Sequence, residues 1–292
     1  MRETGLSSRL FDAANVALMF VLMAVTLYPM LYVLFASFSD PVLLANEKGV
    51  LLRPVGFSTE AYELVFQNPQ ICNGFKNTFL YVGVGTVFSL TCTALGAYTL
   101  SRKGLFWNKP ILMLVVFTMF FSGGLIPLFL LVKGLGLMNT LWAVILPNAI
   151  SAYNLIVMRT FFQGISEELI ESARMDGAND AVIFVKIVLP LSWAVISVIG
   201  LFYAVSEWNS WFNAAIFLRE RTKYPLQLLL REILVQNQVD YSMISTAEMD
   251  SMLAKRMIKY SAIIVSTVPI LFVYPFLQKY FVKGVMIGSL KE

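Results

Sequence analysis

Histidine is absent from this chain, and cysteine is nearly so. Without an imidazole, histidine proton relays, Cys–His nucleophiles and histidine metal sites are excluded. The two cysteines, Cys72 and Cys92, lie 20 residues apart without metal-ligand spacing, so neither a metal centre nor a disulfide scaffold is expected. Charge is scarce as well, at 14% of residues, against roughly 25% in soluble domains. No Gly-x-x-x-x-Gly-Lys-Ser/Thr run occurs, so the chain cannot cradle and hydrolyse ATP by that route. The net charge of +4 reads as loop lysines beside lipid headgroups, and no nucleic-acid partner is expected.

What remains is apolar. Hydrophobic residues make up 58% of the 292, and the mean hydropathy is +0.72, which marks an integral membrane protein. Spanning a bilayer takes about 20 apolar residues, and six segments qualify: 13–37, 78–100, 110–133, 139–162, 190–217 and 258–282. The first follows Arg2 and Arg9 but is longer than the roughly 7–15 residues of a signal h-region, so it reads as a span that stays. The expected fold is an all-α bundle of six transmembrane helices forming a single domain over 1–292. Six spans put loops 38–77 and 218–257 on one side, with short helices expected near Ser58–Val65 and Tyr224–Arg231. Both termini and the loop 163–190 fall on the other. The 22 basic residues divide evenly between the two sides, so charge alone does not orient the chain.

The loop 163–190 is a polar island holding five carboxylates between apolar segments. Its apolar residues still recur at helical spacing: Ile165, Leu169 and Ala173 on one stripe, Ile183, Phe184, Ile187 and Val188 on another. Gly177 separates the two, where a left-handed residue can stop a helix without steric cost. Asn179 can cap the second helix, and Pro190 is expected to end it. The pattern predicts a rigid helix–Gly–helix knob outside the bilayer.

That stretch resembles the signature of permease subunits of binding-protein-dependent ABC importers: Glu-Ala-Ala, three residues, Gly, nine residues, Ile, one residue, Leu-Pro. Glu171, Ala173, Gly177, Ile187, Leu189 and Pro190 occupy those places, and Ser172 stands for the first Ala. Asp176 and Phe184 also match the carbohydrate branch, which is maltose-permease-like. Phe120-Phe-Ser-Gly-Gly-Leu-Ile-Pro127 resembles a subgroup associated with oligosaccharides and polysaccharide fragments. Tyr98–Arg102 and the tail Gln278–Gly288 resemble the same family. The resemblance implies a type I ABC importer bundle in a bacterial cell membrane, with both termini cytoplasmic and the 163–190 loop docking an ATPase. It implies a second homologous permease, two cytoplasmic ATPase subunits that bind ATP and Mg, and an extracytoplasmic sugar-binding protein. No catalytic residue and no cofactor of its own is implied.

Other residues leave two readings open. Glu207, Trp208, Asn209, Trp211 and Asn213 combine ring faces, amides and a carboxylate in the fifth span, which suits a sugar path. Tryptophans equally mark membrane interfaces and helix packing. Gly123, Gly124 and Pro127 can bend the third span for a substrate or simply for packing. Gly83, Gly85, Ala94, Gly96 and Ala97 make the second span small-faced, as close helix packing requires. A non-sugar importer and an independent secondary transporter are the alternatives to a carbohydrate permease.

Overall fold

The computed structural model describes residues 6–47, 49–102, 104, 106–236 and 257–272. Regular structure among them is helical, apart from one isolated antiparallel bridge between Ser39 and Phe57. The sixth expected span begins as the helix Met257–Phe272. Its remainder and the tail 278–288 lie outside the described residues. Two compact units emerge, one from the chain up to Pro69 with Leu230–Pro269, the other centred on Gln70–Leu229.

The first unit is built on the helix Leu6–Ser37, which carries Pro29 inside it. Among the described residues, none of its most apolar stretch is buried. Just beyond its end, Asp40 caps Pro41–Asn46, its Oδ1 accepting the N–H groups of Val42 at 2.9 Å and Leu43 at 3.1 Å. The expected short helix in this loop runs over Glu60–Gln67. From it Tyr62 hydrogen-bonds Ser37 at 2.7 Å, while Ser261 donates to the Ser37 carbonyl at 3.4 Å. The other short helix expected, in the 218–257 loop, occupies Leu226–Gln236.

The second unit is organised by the helix Pro69–Ser101, which starts nine residues before the apolar run does. Its first turns are polar in composition but still bury Ile71 and Gly74, so packing extends the helix where hydropathy does not. Burial then recurs at Thr78, Tyr81, Gly85, Ser89, Thr93 and Ala97, intervals of three and four that define one helical face. Against that face lies Trp193–Trp208. Thr93 hydrogen-bonds the Tyr203 hydroxyl at 2.6 Å, and the same hydroxyl accepts the Ser151 N–H at 3.0 Å. Glu207 sits over Gly85 so closely that a Cβ there would lie 3.0 Å from the carboxyl carbon.

Three expected spans are broken instead of continuous. Segment 110–133 becomes Asn108–Phe120 and Leu125–Gly134, bent by 117°. Segment 139–162 becomes Leu141–Asn148 and Ala152–Gln163, bent by 58°, with Pro147 in a 3₁₀ turn at the corner. In 190–217 the helix Trp193–Trp208 stops, and a short one resumes at Phe212–Phe217. Pro190 does not end its helix, as expected, because a π turn over Phe184–Val188 opens the ladder ahead of it. The Leu189 N–H reaches back to the Phe184 carbonyl, and the wider turn accommodates a residue without an N–H. The helix continues to Leu191 and turns by 84° into Trp193–Trp208.

Two neighbouring glycines separate close approach from mere smallness. A Cβ on Gly83 would meet nothing within 4 Å, whereas one on Gly85 would displace Glu207. Gly83→Ala should leave stability unchanged or raise it by up to about 1 kcal/mol, through helix propensity. Gly85→Ala should lower it by about 1–3 kcal/mol, through overpacking. Thermal unfolding of the detergent-purified protein checks this, and equal midpoints for the two variants would refute the close seam.

Candidate functional site

Three helix breaks open onto one cavity of about 790 Å³. Ser122, Gly123 and Gly124 reach it from the first break, with Pro127 on the helix that follows. Pro147 and Asn148 come from the second, and Asn209, Ser210, Trp211 and Asn213 from the third. Each break leaves helix-end N–H and C=O groups without intrahelical partners. Gly124, at φ +83°, heads Leu125–Gly134 without a side chain to cap it. Asn213 is buried and donates to the Val144 carbonyl at 3.3 Å, which ties the third break to the second helix pair. Asn209 is exposed and folds its Nδ2 back onto the Val205 carbonyl at 2.8 Å. The Trp211 ring, half-buried, stands edge-on to Phe212 at 5.4 Å between centroids. Amides, hydroxyls and one indole therefore face a common space whose other wall is apolar, from Leu125, Leu128 and Leu131.

Two groups that were separate in the sequence meet here. Gly123, Gly124 and Pro127 lie across the cavity lining with Asn209, Trp211 and Asn213. Glu207 and Trp208 do not line it. Successive helical residues point about 100° apart, and these two take the inward directions, with only 6% of their surface exposed. Glu207 lies on Gly85, and Trp208 stands edge-on to Phe79 at 5.5 Å. Among the described residues, Glu207 Oε2 and Trp208 Nε1 have no hydrogen-bond partner. Sequence reasoning missed Ser122, Asn148, Ser206 and Ser210 as lining residues. The one available signal was Pro147-Asn148, a break-forming pair inside an apolar span.

The island 163–190 forms the second site. Its first helix, Glu167–Met175, closes in a Schellman turn. Gly177 N–H donates to Arg174 at 3.0 Å, Ala178 N–H to Ala173 at 2.9 Å, and Gly177 takes φ +81°. Asn179 caps the second helix, its Oδ1 accepting the Val182 N–H at 2.9 Å. Arg174 pairs with Asp180 at 3.0 Å across the turn, and that hydrogen bond raises the guanidinium pKa further. Both expectations for the turn are met; the first stripe is not. Leu169 is exposed and Ile170 is buried, because the helix begins at Glu167 and its phase follows Ile170 and Ala173, with Ile165 packing from before the first turn.

On the second stripe Ile183 and Val188 are buried, and Phe184 and Leu189 pack on the same core as Tyr98, Met158 and Phe162. Ile187 is half-buried and Pro190 exposed. The Phe184 ring lies 5.0 Å from that of Tyr98, whose hydroxyl donates to the Asp180 carbonyl at 3.3 Å. The opposite surface presents Glu171, Ser172 and Asp176 with the exposed apolar side chains Leu169, Met175, Val182 and Val185. Ser172 donates to the Glu168 carbonyl at 2.7 Å, so its hydroxyl is absorbed by the helix. This is a knob with a packed inner face and an apolar-acidic outer one.

Comparison with known proteins gives the family. Residues 93–287 match the family described as binding-protein-dependent transport system inner membrane component. The polygalacturonan/rhamnogalacturonan transport system permease protein YtcP of Bacillus subtilis is 42% identical over 98% of this chain and 100% of its own length. The arabinooligosaccharides transport system permease AraQ of the same organism is 26% identical over 82% of this chain and 80% of its own. A chain in the crystal structure of a bacterial ABC transporter that imports the acidic polysaccharide alginate superposes with a TM-score of 0.88. It is 32% identical and covers 96% of this chain and 100% of that one. This chain belongs to the family of binding-protein-dependent transport system inner membrane components, with the all-helical type I permease fold.

Proposed function

We propose that this chain is the six-span membrane subunit of an ATP-driven oligosaccharide importer, and that the cavity at the three helix breaks is its share of the sugar path. The observation that carries the reading is the convergence of those breaks on an uncharged polar lining. Non-helical backbone is tolerated inside a membrane only where it is buried in protein or lines a wet cavity. Amides and hydroxyls suit the rim of a sugar, and an indole suits its C–H face. The named relatives that carry polygalacturonan or arabinooligosaccharides support the substrate class. Trp211→Ala and Asn209→Ala should each reduce uptake several-fold, on the order of 1 kcal/mol per lost contact, with ATPase coupling intact. Uptake in proteoliposomes by the assembled transporter measures it; a loss that only follows protein yield would return both residues to helix packing.

The knob 163–190 is the docking element for a cytoplasmic ATPase in the same reading. The working assembly comprises this chain as one permease domain over 1–292, a homologous second permease, two ATPases carrying ATP and Mg, and an extracytoplasmic sugar-binding protein. Glu171, Ser172, Asp176 and Gly177 present or shape the docking face, while Phe184, Ile187 and Leu189 hold it to the bundle and the exposed Pro190 lies where the knob joins the next helix. Gly177→Val has open space for its side chain but is strained at positive φ, by about 1–3 kcal/mol. Glu171→Lys reverses an exposed charge. Both variants should reach the membrane yet lose ATPase co-purification and uptake together, and normal co-purification at wild-type transport rate would remove the docking role.

Orientation follows from that role, with the knob and both termini cytoplasmic. In a background lacking Cys72 and Cys92, a single cysteine at Thr222 should react with an impermeant maleimide on intact cells and one at Asn179 should not. The reverse labelling would overturn both the orientation and the importer reading.

A further inference from the structure

The cavity lining holds no ionisable side chain among the described residues. The elements that build it are almost as bare. No Asp, Glu, Lys or Arg occurs over 110–132 or 134–158, and over 187–218 only Glu207 does. That carboxyl is turned away onto Gly85 and buried. Its direction is set by the same helical phase that sends Asn209 to the cavity. The Arg174–Asp180 pair belongs to the knob and contributes nothing to the lining. Recognition here consequently rests on the amides of Asn148, Asn209 and Asn213, the hydroxyls of Ser122, Ser206 and Ser210, and the Trp211 ring.

An ionised carboxylate entering such a space would give up water for neutral dipoles without a counter-charge, which is costly. Hydroxyls and C–H faces make no such demand, since the amides supply donors and acceptors alike. We infer that this cavity is a charge-blind half-site: it binds uncharged glycosyl faces and leaves any carboxylate on the cargo to groups outside the cavity. The inference deepens the sugar-path reading above and rests on it. It also separates this chain's own contribution from the acidic character of the polysaccharide imported by the similar alginate transporter. An acidic oligosaccharide can still pass, with its charged groups facing the rest of the path.

A charge placed on the cavity wall tests this. In the assembled transporter, Asn209→Asp and Ser210→Lys are compared with wild type for uptake of a neutral oligosaccharide and of a uronate oligosaccharide of equal length. Each rate is normalised to the amount of complex. A charge-blind half-site predicts that each substitution lowers uptake of both cargoes, and by the same factor. A selective effect overturns it: uronate uptake about tenfold lower than neutral with the aspartate, or raised with the lysine, as like and opposite charges at close range produce. The two positions serve as independent checks if one variant assembles poorly. If neither substitution alters uptake of either cargo, the cavity does not touch the sugar, and it is the sugar-path reading that fails.

Discussion

A backbone N–H or C=O left unpaired in hydrocarbon costs several kcal/mol, and that constraint decides where this chain can stop being helical. Its apolar segments break at Phe121–Gly124, at the 3₁₀ turn Leu146–Asn148 and at Asn209–Trp211. Scattered over a lipid-facing surface, each break would carry its own penalty. Gathered around one cavity, all three can share water or a polar cargo. The residues in the breaks fit that solution, since glycine, serine and asparagine supply hydrogen-bonding groups with little bulk. The polar lining of this cavity is therefore a consequence of how broken helices must be packed.

Where helices run unbroken, the opposite logic holds. The face of Pro69–Ser101 that meets Trp193–Trp208 is made of small or hydroxyl residues, which bring the two backbones close. Its polar atoms are partly absorbed by the Thr93–Tyr203–Ser151 chain of hydrogen bonds. Ser151 is also the cap of Ala152–Gln163, its hydroxyl accepting the Asn154 N–H at 3.4 Å. One tyrosine hydroxyl thus links the long helix, the broken fourth segment and the helix that ends at the cavity. Glu207, four residues beyond that tyrosine, fills the space Gly85 leaves open.

The legible parts of the fold were those set by local chemistry. Gly177 at positive φ and Asn179 as a cap follow from backbone preferences that act within a few residues. The apolar segments were legible for the same reason, because burial in lipid depends on composition. Their breaks were legible only as bends: Gly123, Gly124 and Pro127 announced an interruption, while the 117° turn depends on what packs beside them. Leu169 and Ile170 show the finer limit, since a helix starting at Glu167 selects one of two adjacent apolar residues and periodicity alone does not. For the cavity lining, residue type pointed to Asn209, Trp211 and Asn213, but Glu207 and Trp208 came with them. Telling inward from cavity-facing needs the neighbouring helix, and Gly85 lies 122 positions away in the chain from the carboxylate it accommodates.

The two sites are joined by a short mechanical route. From the knob, Asp180–Leu191 reaches the 84° corner at Ser192, and Trp193–Trp208 runs from there to the break at the cavity. Sixteen residues at 1.5 Å each make a lever of about 24 Å. The knob end is stiff: a Schellman turn, an asparagine cap and the Tyr98–Phe184 contact leave it few ways to deform locally. The cavity end carries Asn209, Trp211 and Asn213 on non-helical backbone and a short following helix, where a small tilt changes side-chain direction most. A displacement applied at the outer face of the knob therefore has little to dissipate it before it reaches residues that line the cavity. Because the transmitting helix is held by packing and neutral hydrogen bonds, its movement does not require charges to separate along the way. The docking role proposed for the knob would call for a stiff input, a connecting lever and a compliant output, and elements of that kind follow one another in the chain from Glu167 to Phe217.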